Sequence, residues 1–148
     1  CDTSIRPSFS ADTDMPGITP NYPAHDALKP TDSRFVDLLS MPWLDSTPGI
    51  KMKWLYKDNE KREAVCLMDA SPGATIPDHI HTGLEQTYIL EGTMEDDDGV
   101  CPAGNFVWRP AGSRHTARFP NGCKFLVFFR GSAQRVETGR LFPNYDQP

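Results

Sequence analysis

The stretch that decides the fold is residues 73–92, which read GATIPDHIHTGLEQTYILEG. It places His79 and His81 two residues apart, with Glu85 four residues further on. In a β-strand, residues i and i+2 point to the same face and lie about 6.6 Å apart. The two imidazoles can therefore converge on one ion, with metal–nitrogen bonds of about 2.0–2.1 Å. A bend at Gly83 would return the Glu85 carboxylate to the same ion.

A second stretch, residues 104–115, reads GNFVWRPAGSRH and ends on another histidine, His115. Its Pro-Ala-Gly turn would bring a second strand pair across to the first stretch. Three neutral nitrogens and one anionic oxygen suit a divalent transition ion, whereas calcium prefers six to eight oxygen ligands. We therefore predict one ion held by His79, His81, Glu85 and His115. The alternative for Glu85 is a carboxylate that orients a histidine ring without touching the ion.

Both stretches resemble the two sequence motifs of the cupin superfamily. The first matches as Gly73-x5-His79-x-His81-x3-Glu85-x6-Gly92, and the second as Gly104-x5-Pro110-x-Gly112-x2-His115. The second departs from the pattern at its end, where Phe119 replaces the usual asparagine and makes the mouth of the barrel more apolar. The resemblance implies a single-domain, all-β jelly-roll barrel (a double-stranded β-helix) around the metal. Cupins often pair through exposed edge strands, so it also implies a homodimer.

Over residues 34–130 the chain is similar to the ChrR-like branch of cupins. The resembling pieces are Met41-Pro42-Trp43, Ser71-Pro72-Gly73-Ala74, Leu90-Glu91-Gly92, Asp98-Gly99 and Gly122-Cys123. This branch includes the cupin domain of zinc-containing anti-sigma factors. It is also associated with small dioxygenases that cleave carbon–carbon bonds in β-diketones and hydroxyaryl ketones (the acetylacetone and dihydroxyacetophenone types). Anti-sigma factors carry a further helical zinc domain, which residues 1–33 do not resemble, so sigma-factor binding is not expected.

The rest of the chain reads as short strands separated by turns, consistent with 11 glycines and 14 prolines among 148 residues. Residues 1–33 are predicted to form an extended, proline-rich N-terminal arm, and residues 34–148 the barrel. The arm could wrap its own barrel, reach a partner subunit or be partly disordered. The predicted strands are Arg34–Leu39, Ile50–Tyr56, Glu63–Asp69, Glu85–Leu90, Asn105–Arg109, Arg114–Phe119 and Lys124–Arg130.

Composition and charge exclude several classes of partner. With 15 basic and 20 acidic residues, the net charge of −5 argues against nucleic acid, which requires a basic surface. No apolar run approaches the roughly 18 residues of a membrane span. Cys66 and Cys123 read as small core residues, and the cysteine spacing favours a reducing, cytoplasmic location. A lipid-anchored Cys1 is the alternative to that location.

Three pairs of residues at i, i+2 spacing are candidate walls of a substrate pocket: Met52 with Trp54, Phe106 with Trp108, and Ala117 with Phe119. Faces that point inward would form an aromatic pocket, and the others would pack between the sheets. Beyond the metal site the one candidate base is Tyr88. Arg109 and Arg114 are predicted to be exposed, and the acidic run at residues 95–98 a solvated hairpin turn.

These features predict a mononuclear non-haem metal oxygenase, with Fe²⁺ favoured and Zn²⁺, Mn²⁺, Ni²⁺ or Co²⁺ as alternatives. Its substrate would be a small dicarbonyl or aryl ketone, because two neighbouring oxygens can chelate the open positions of the ion. The alternative function is a non-catalytic sensory or regulatory cupin that binds zinc, which has no redox chemistry. A metal of purely structural role is the third interpretation.

Overall fold

The computed structural model describes residues 17–147, within which eleven β-strands and one single-turn 3₁₀ helix, Pro23–His25, are found. The strands are β1 (Leu44–Thr47), β2 (Ile50–Asp58), β3 (Glu63–Ala70), β4 (Ala74–His81), β5 (Glu85–Glu95), β6 (Val100–Pro102), β7 (Phe106–Arg109), β8 (Arg114–Phe119), β9 (Cys123–Arg130), β10 (Ala133–Arg135) and β11 (Leu141–Phe142). The predicted all-β fold class is confirmed. None of the described residues forms a helix long and apolar enough to span a membrane.

Every strand pairing is antiparallel, and the hydrogen-bonded order is β1-β2-β3-β9-β5-β8-β4-β10-β11, with β6 and β7 added to β5. The sheet curls so that its two layers face each other across one core. Strands β4 and β8, which carry the histidines, lie in one layer, while β3 and β9 lie in the other. This order is that of a jelly roll, in which strands distant along the chain become neighbours in the sheet, as β3 and β9 or β4 and β8 do here.

Strand β5 connects the two layers because it changes partners along its length. Its first part pairs with β9 and β7, whereas its last residues pair with β6 and β8. Near this change lies Gly92, whose φ is +73° and where a Cβ would lie 2.0 Å from the carbonyl oxygen of Gly122. Only glycine fits so close to a neighbouring backbone at that φ, which explains its place in the motif.

The core consists of apolar side chains from both layers. Its largest fully buried members include Ile50, Ile89 and Phe119, and the Phe119 ring stacks on Phe125 with centroids 5.4 Å apart. Cys66 is fully buried and Cys123 nearly so, and both are free thiols, as expected of small core residues.

Most predicted strands are present, but Arg34–Leu39 is not one of them. That segment has no strand partner, and Phe35 and Leu39 are 86% and 96% exposed. A turn contact holds it instead, because the backbone N–H of Asp37 donates to Tyr22 Oη at 2.8 Å. Phe35 and Leu39 face solvent and do not pair with the edge of a neighbouring strand. The first strand begins at Leu44.

The described part of the N-terminal arm lies against β2. Ile18 forms an antiparallel bridge with Lys57, and the Thr19 hydroxyl donates to the carbonyl of Leu55 at 2.8 Å. The assignment of residues 1–33 as a separate arm stays a prediction. Its first sixteen residues, including the candidate lipid-bearing Cys1, lie outside the described residues.

Candidate metal centre

The three motif histidines meet inside the sheet. His79 and His81 share one face of β4, and His115 on β8 lies directly opposite His79 in the strand register. One ring nitrogen from each histidine lies within 4.8 Å of those of the other two. His79 and His81 are 3% and 1% exposed, so water does not solvate these nitrogens freely.

Two of the rings are held by oxygen atoms that can only accept a hydrogen bond. His79 Nδ1 lies 2.8 Å from the carbonyl oxygen of Pro77, and His115 Nδ1 lies 2.9 Å from Oδ2 of Asp96. Each Nδ1 must therefore carry the proton, which leaves a lone pair on Nε2. His115 Nε2 is buried and has no hydrogen-bond partner within residues 17–147.

The third ring is held by a hydroxyl whose own proton is engaged elsewhere. His81 Nδ1 lies 3.0 Å from Ser113 Oγ, and that hydroxyl donates to the carbonyl of Pro110 at 2.7 Å. The hydroxyl therefore accepts from His81 Nδ1, and Nε2 is the ring nitrogen of His81 that faces Glu85. In all three rings Nδ1 is engaged, so Nε2 is the atom available to bind a metal ion.

Burial keeps two of these rings neutral. Desolvation lowers the pKa of His79, and desolvation together with the Arg109 charge lowers the pKa of His115 to about 4. Neutral imidazole is the form that binds a metal ion. The centre is therefore ready to accept an ion at neutral pH without first releasing protons from these two rings.

Glu85 extends this arrangement from the start of β5. Its Oε2 lies 3.1 Å from His81 Nε2, so a carboxylate oxygen faces a nitrogen that can bind a metal ion. A shared proton or a shared cation is needed between them. Two ligands about 2.1 Å from one ion and at right angles to it lie about 3.0 Å apart, which matches this contact. The donor set fits a divalent transition ion.

The predicted bend at Gly83 lies in the connection between β4 and β5. A Cβ at this position would lie 1.7 Å from the carbonyl oxygen of Arg130, so only glycine can pass. The N–H of Arg130 donates to the carbonyl of Leu84 at 2.9 Å, which fixes the end of the connection. This close passage lets Glu85 begin the next strand beside His81.

Two charged residues that were predicted to lie in solvent are buried beside His115. Arg109 and Asp96 are 9% and 8% exposed, and Arg109 Nη1 lies 2.7 Å from Oδ2 of Asp96. The other oxygen of Asp96 accepts the backbone N–H groups of Asp98 and Gly99 at 2.8 and 3.1 Å. The acidic run is a hairpin turn as predicted, but its first aspartate turns inward to hold His115. The Asx-turn pattern signals the turn, whereas the inward contact depends on long-range pairing.

Beside the histidines lies a cavity of about 380 Å³. Its walls are mostly apolar, and His79, Glu85 and His115 face it at one side. The apolar lining comes from both layers: Ile50, Met68, Ile76, Met94, Ala117, Phe125, Val127, Phe129 and Phe142. Its size is in the range of small-molecule pockets.

The candidate pocket residues divide into four groups, of which the first three lie in or beside the cavity. Ala117 lines the cavity. Met52 and Phe119 are 3% and 0% exposed and belong to the core beside it. Trp54 stacks on Phe142, which itself lines the cavity, with ring centroids 5.5 Å apart.

Phe106 and Trp108 lie outside the cavity, on the outer face of the sheet, where they are 52% and 60% exposed. Tyr88 is directly opposite Phe106 in the register and is 41% exposed, so it also faces away from the histidines. Because side chains alternate along a strand, burial of Glu85 and Thr87 sends Tyr88 outward. The i, i+2 spacing identified a common face but not which side of the sheet that face occupies.

Comparison with known proteins identifies the family to which this chain belongs. Residues 31–134 match the ChrR Cupin-like domain. No curated protein sequence matches the chain. The fold is similar to that of an acetylacetone dioxygenase from Acinetobacter johnsonii, with a TM-score of 0.67 and 19% identity over 76% of this chain and 84% of that chain.

Two further solved structures share the fold. A protein from Methylibium petroleiphilum PM1, proposed to be an acetylacetone dioxygenase, has a TM-score of 0.68 and 22% identity over 75% of this chain and 86% of that one. The Rhodobacter sphaeroides SigE complex with the anti-sigma factor ChrR gives a TM-score of 0.55 and 24% identity, covering 62% of this chain and 51% of that chain. The match spans 104 consecutive residues and includes both histidine-bearing strands, so the chain belongs to the ChrR Cupin-like domain family.

Proposed function

We propose that this cupin binds one divalent transition metal ion through His79, His81, His115 and Glu85, and acts as a small-molecule oxygenase. The observation that carries the proposal is the convergence of three histidine nitrogens beside a buried carboxylate. One ring nitrogen from each histidine lies within 4.8 Å of the other two, and Glu85 Oε2 faces His81 Nε2 at 3.1 Å. A cation resolves this arrangement, and Fe²⁺ is the favoured ion because it also supports oxygen chemistry.

When bound, the ion would supply Lewis acidity and the redox chemistry of dioxygen. The residues of the chain itself would position the metal ligands and exclude water. Asp96 and Arg109 hold the His115 ring in one orientation, and the apolar walls keep water from the centre. The wall also leaves room beside His79 and Glu85 for a small organic molecule.

We propose a β-diketone or hydroxyaryl ketone as the substrate class. The acetylacetone dioxygenases that share this fold support that choice. For a β-diketone, both atoms of dioxygen enter the products: one carbon–carbon bond breaks, and a carboxylic acid and a 2-oxo aldehyde or ketone are released. The overall equation balances without another reductant, so the cavity needs to admit only the diketone and dioxygen.

A second candidate is a non-catalytic regulatory cupin that holds zinc. The buried Glu85 favours it, because four protein ligands around zinc make a closed structural site. The ChrR structure in its sigma-factor complex supports the same alternative.

One experiment separates the two candidates. The chain is purified without chelators, its metal content is measured, and the Fe²⁺-loaded form is screened for oxygen uptake with β-diketones and hydroxyacetophenones. The oxygenase proposal expects about one ion per chain and substrate-dependent uptake that His79→Ala abolishes. Zinc occupancy with no uptake from any compound would favour the regulatory function, and a stable protein that binds no metal would contradict both.

A further inference from the structure

Two arginines line the cavity far along the chain from either motif. Arg135 ends β10, and Arg140 follows in the turn before β11. The remaining wall is largely apolar, so these guanidinium groups are an unusual feature of it. Arg135 is half-buried, and burial together with the neighbouring Arg140 charge lowers its pKa. Arg140 is exposed, so it adds a second positive charge to the wall beside Arg135 while keeping its contact with solvent.

The position of Arg135 is set by the sheet. It lies directly opposite His79 in the register between β10 and β4, so the two side chains share one face. Cross-strand neighbours of this kind have Cβ atoms about 4.5–5.5 Å apart. One of its nitrogens, Nη2, donates to Thr47 Oγ1 at 2.8 Å, which anchors the side chain. The other donors of the planar guanidinium are left for a ligand beside the metal centre.

The acidic groups around the cavity do not neutralise this pair. Asp78 also lines the cavity, but its carboxylate is bound by Arg114 through contacts of 2.6 to 3.1 Å. Glu137 is the other acidic residue of the outer lining and is exposed. Within the part of the chain that the structure describes, no carboxylate oxygen lies within 4.0 Å of Arg135 or Arg140.

We propose that the cavity selects dicarbonyl compounds that carry a carboxylate, and that Arg135, supported by Arg140, binds this carboxylate. The inference rests on the proposed function, since the dicarbonyl end is taken to lie at the histidine centre. An apolar middle section of the ligand would contact the walls between the two ends. Arginine suits this role because its parallel N–H groups match both oxygens of a carboxylate.

The test compares 4,6-dioxoheptanoate with its methyl ester. The two compounds share one β-diketone and differ in the charge at the far end, so both chelate the metal equally. Binding is measured by isothermal titration calorimetry on the zinc-loaded protein, which is redox-inert and needs no turnover. We expect the carboxylate to bind roughly tenfold or more tightly than the ester, the range of a hydrogen-bonded charge pair.

Arg135→Ala should remove this preference while leaving the affinity for the ester unchanged, and Arg135→Lys should retain part of it. Arg118→Ala is the matched control, because Arg118 lies outside the cavity and pairs with Asp97 and Glu95. Equal affinity of the two compounds for the wild-type protein, or a preference that survives Arg135→Ala, would overturn the inference. The proposed function has a separate test. It would be contradicted if the protein bound no metal, or if its Fe²⁺-loaded form consumed no oxygen with the neutral ester.

Discussion

Replacing Asp96 by asparagine exchanges one carboxylate oxygen for an NH₂ group. The substitution tests whether the Asp96 carboxylate sets the tautomer of His115. The carboxylate accepts three hydrogen bonds, from His115 Nδ1 at 2.9 Å on one oxygen and from two backbone N–H groups at 2.8 and 3.1 Å on the other, and Arg109 Nη1 forms an ion pair with the first oxygen at 2.7 Å. An asparagine amide has only one oxygen. If that oxygen stays with the backbone donors, its NH₂ group faces His115 and favours the tautomer with the proton on Nε2.

A proton on Nε2 removes the lone pair that the metal needs. Loss of such a supporting carboxylate lowers metal affinity by about 10- to 100-fold, equivalent to about 1.4–2.7 kcal/mol. In the opposite orientation the amide NH₂ faces the two backbone donors, and unsatisfied buried donors cost about 1–3 kcal/mol of folding stability. Asp96→Asn should therefore weaken zinc binding, measured by competition with a chelating dye, and lower the urea midpoint of the metal-free protein.

The neighbouring substitution Asp97→Asn is the control. It makes the same change of charge, but the Asp97 side chain is 95% exposed and pairs only with Arg118 among the described residues. Its zinc affinity should stay at the wild-type value. If Asp96→Asn binds zinc as tightly as Asp97→Asn does, then the Asp96 contact does not prepare His115 for metal, and the reasoning is refuted.

Three further outcomes test the fold and the site. Gly83→Ala should lower the free energy of unfolding by more than about 2 kcal/mol in urea titrations, because its Cβ would lie 1.7 Å from a backbone carbonyl oxygen, whereas Gly99→Ala, with open space around it, should not. Phe119→Ala should cost about 3–5 kcal/mol in the same assay, and Phe106→Ala, on the outer face, less than about 1 kcal/mol; equal costs would contradict the assigned faces. Zinc at about 100 times its dissociation constant should stabilise the protein by about 2.7 kcal/mol in thermal or urea unfolding, and His79→Ala should remove this effect.

Much of the centre could be predicted from local spacing. His79 and His81 share a face because a strand alternates with period two, and Gly83 and Gly92 mark places where the backbone passes too close for a side chain. These are properties of neighbouring residues, so the motifs carry them. The all-β class followed in the same way from short alternating runs and frequent turn residues.

The support of the centre could not be predicted in this way. Asp96 looked like one more acid of a solvated turn and Arg109 like a surface cation, yet both are buried against His115. The alternation of a strand defines two faces but does not say which one is covered by the opposite layer. That ambiguity placed Phe106 and Trp108 in the pocket, whereas the curl of the sheet leaves them on the outside.

The sequence by itself determined the histidine set, the strand class and the turns, since each depends on residues close together in the chain. The tertiary structure decided which lone pairs converge, which carboxylate orients His115, and that Arg135 faces His79 across two strands. These contacts join positions from 19 to 56 residues apart, and only the antiparallel register brings them together. The cavity has the same origin, because its wall is built from strands of both layers that meet only when the sheet curls.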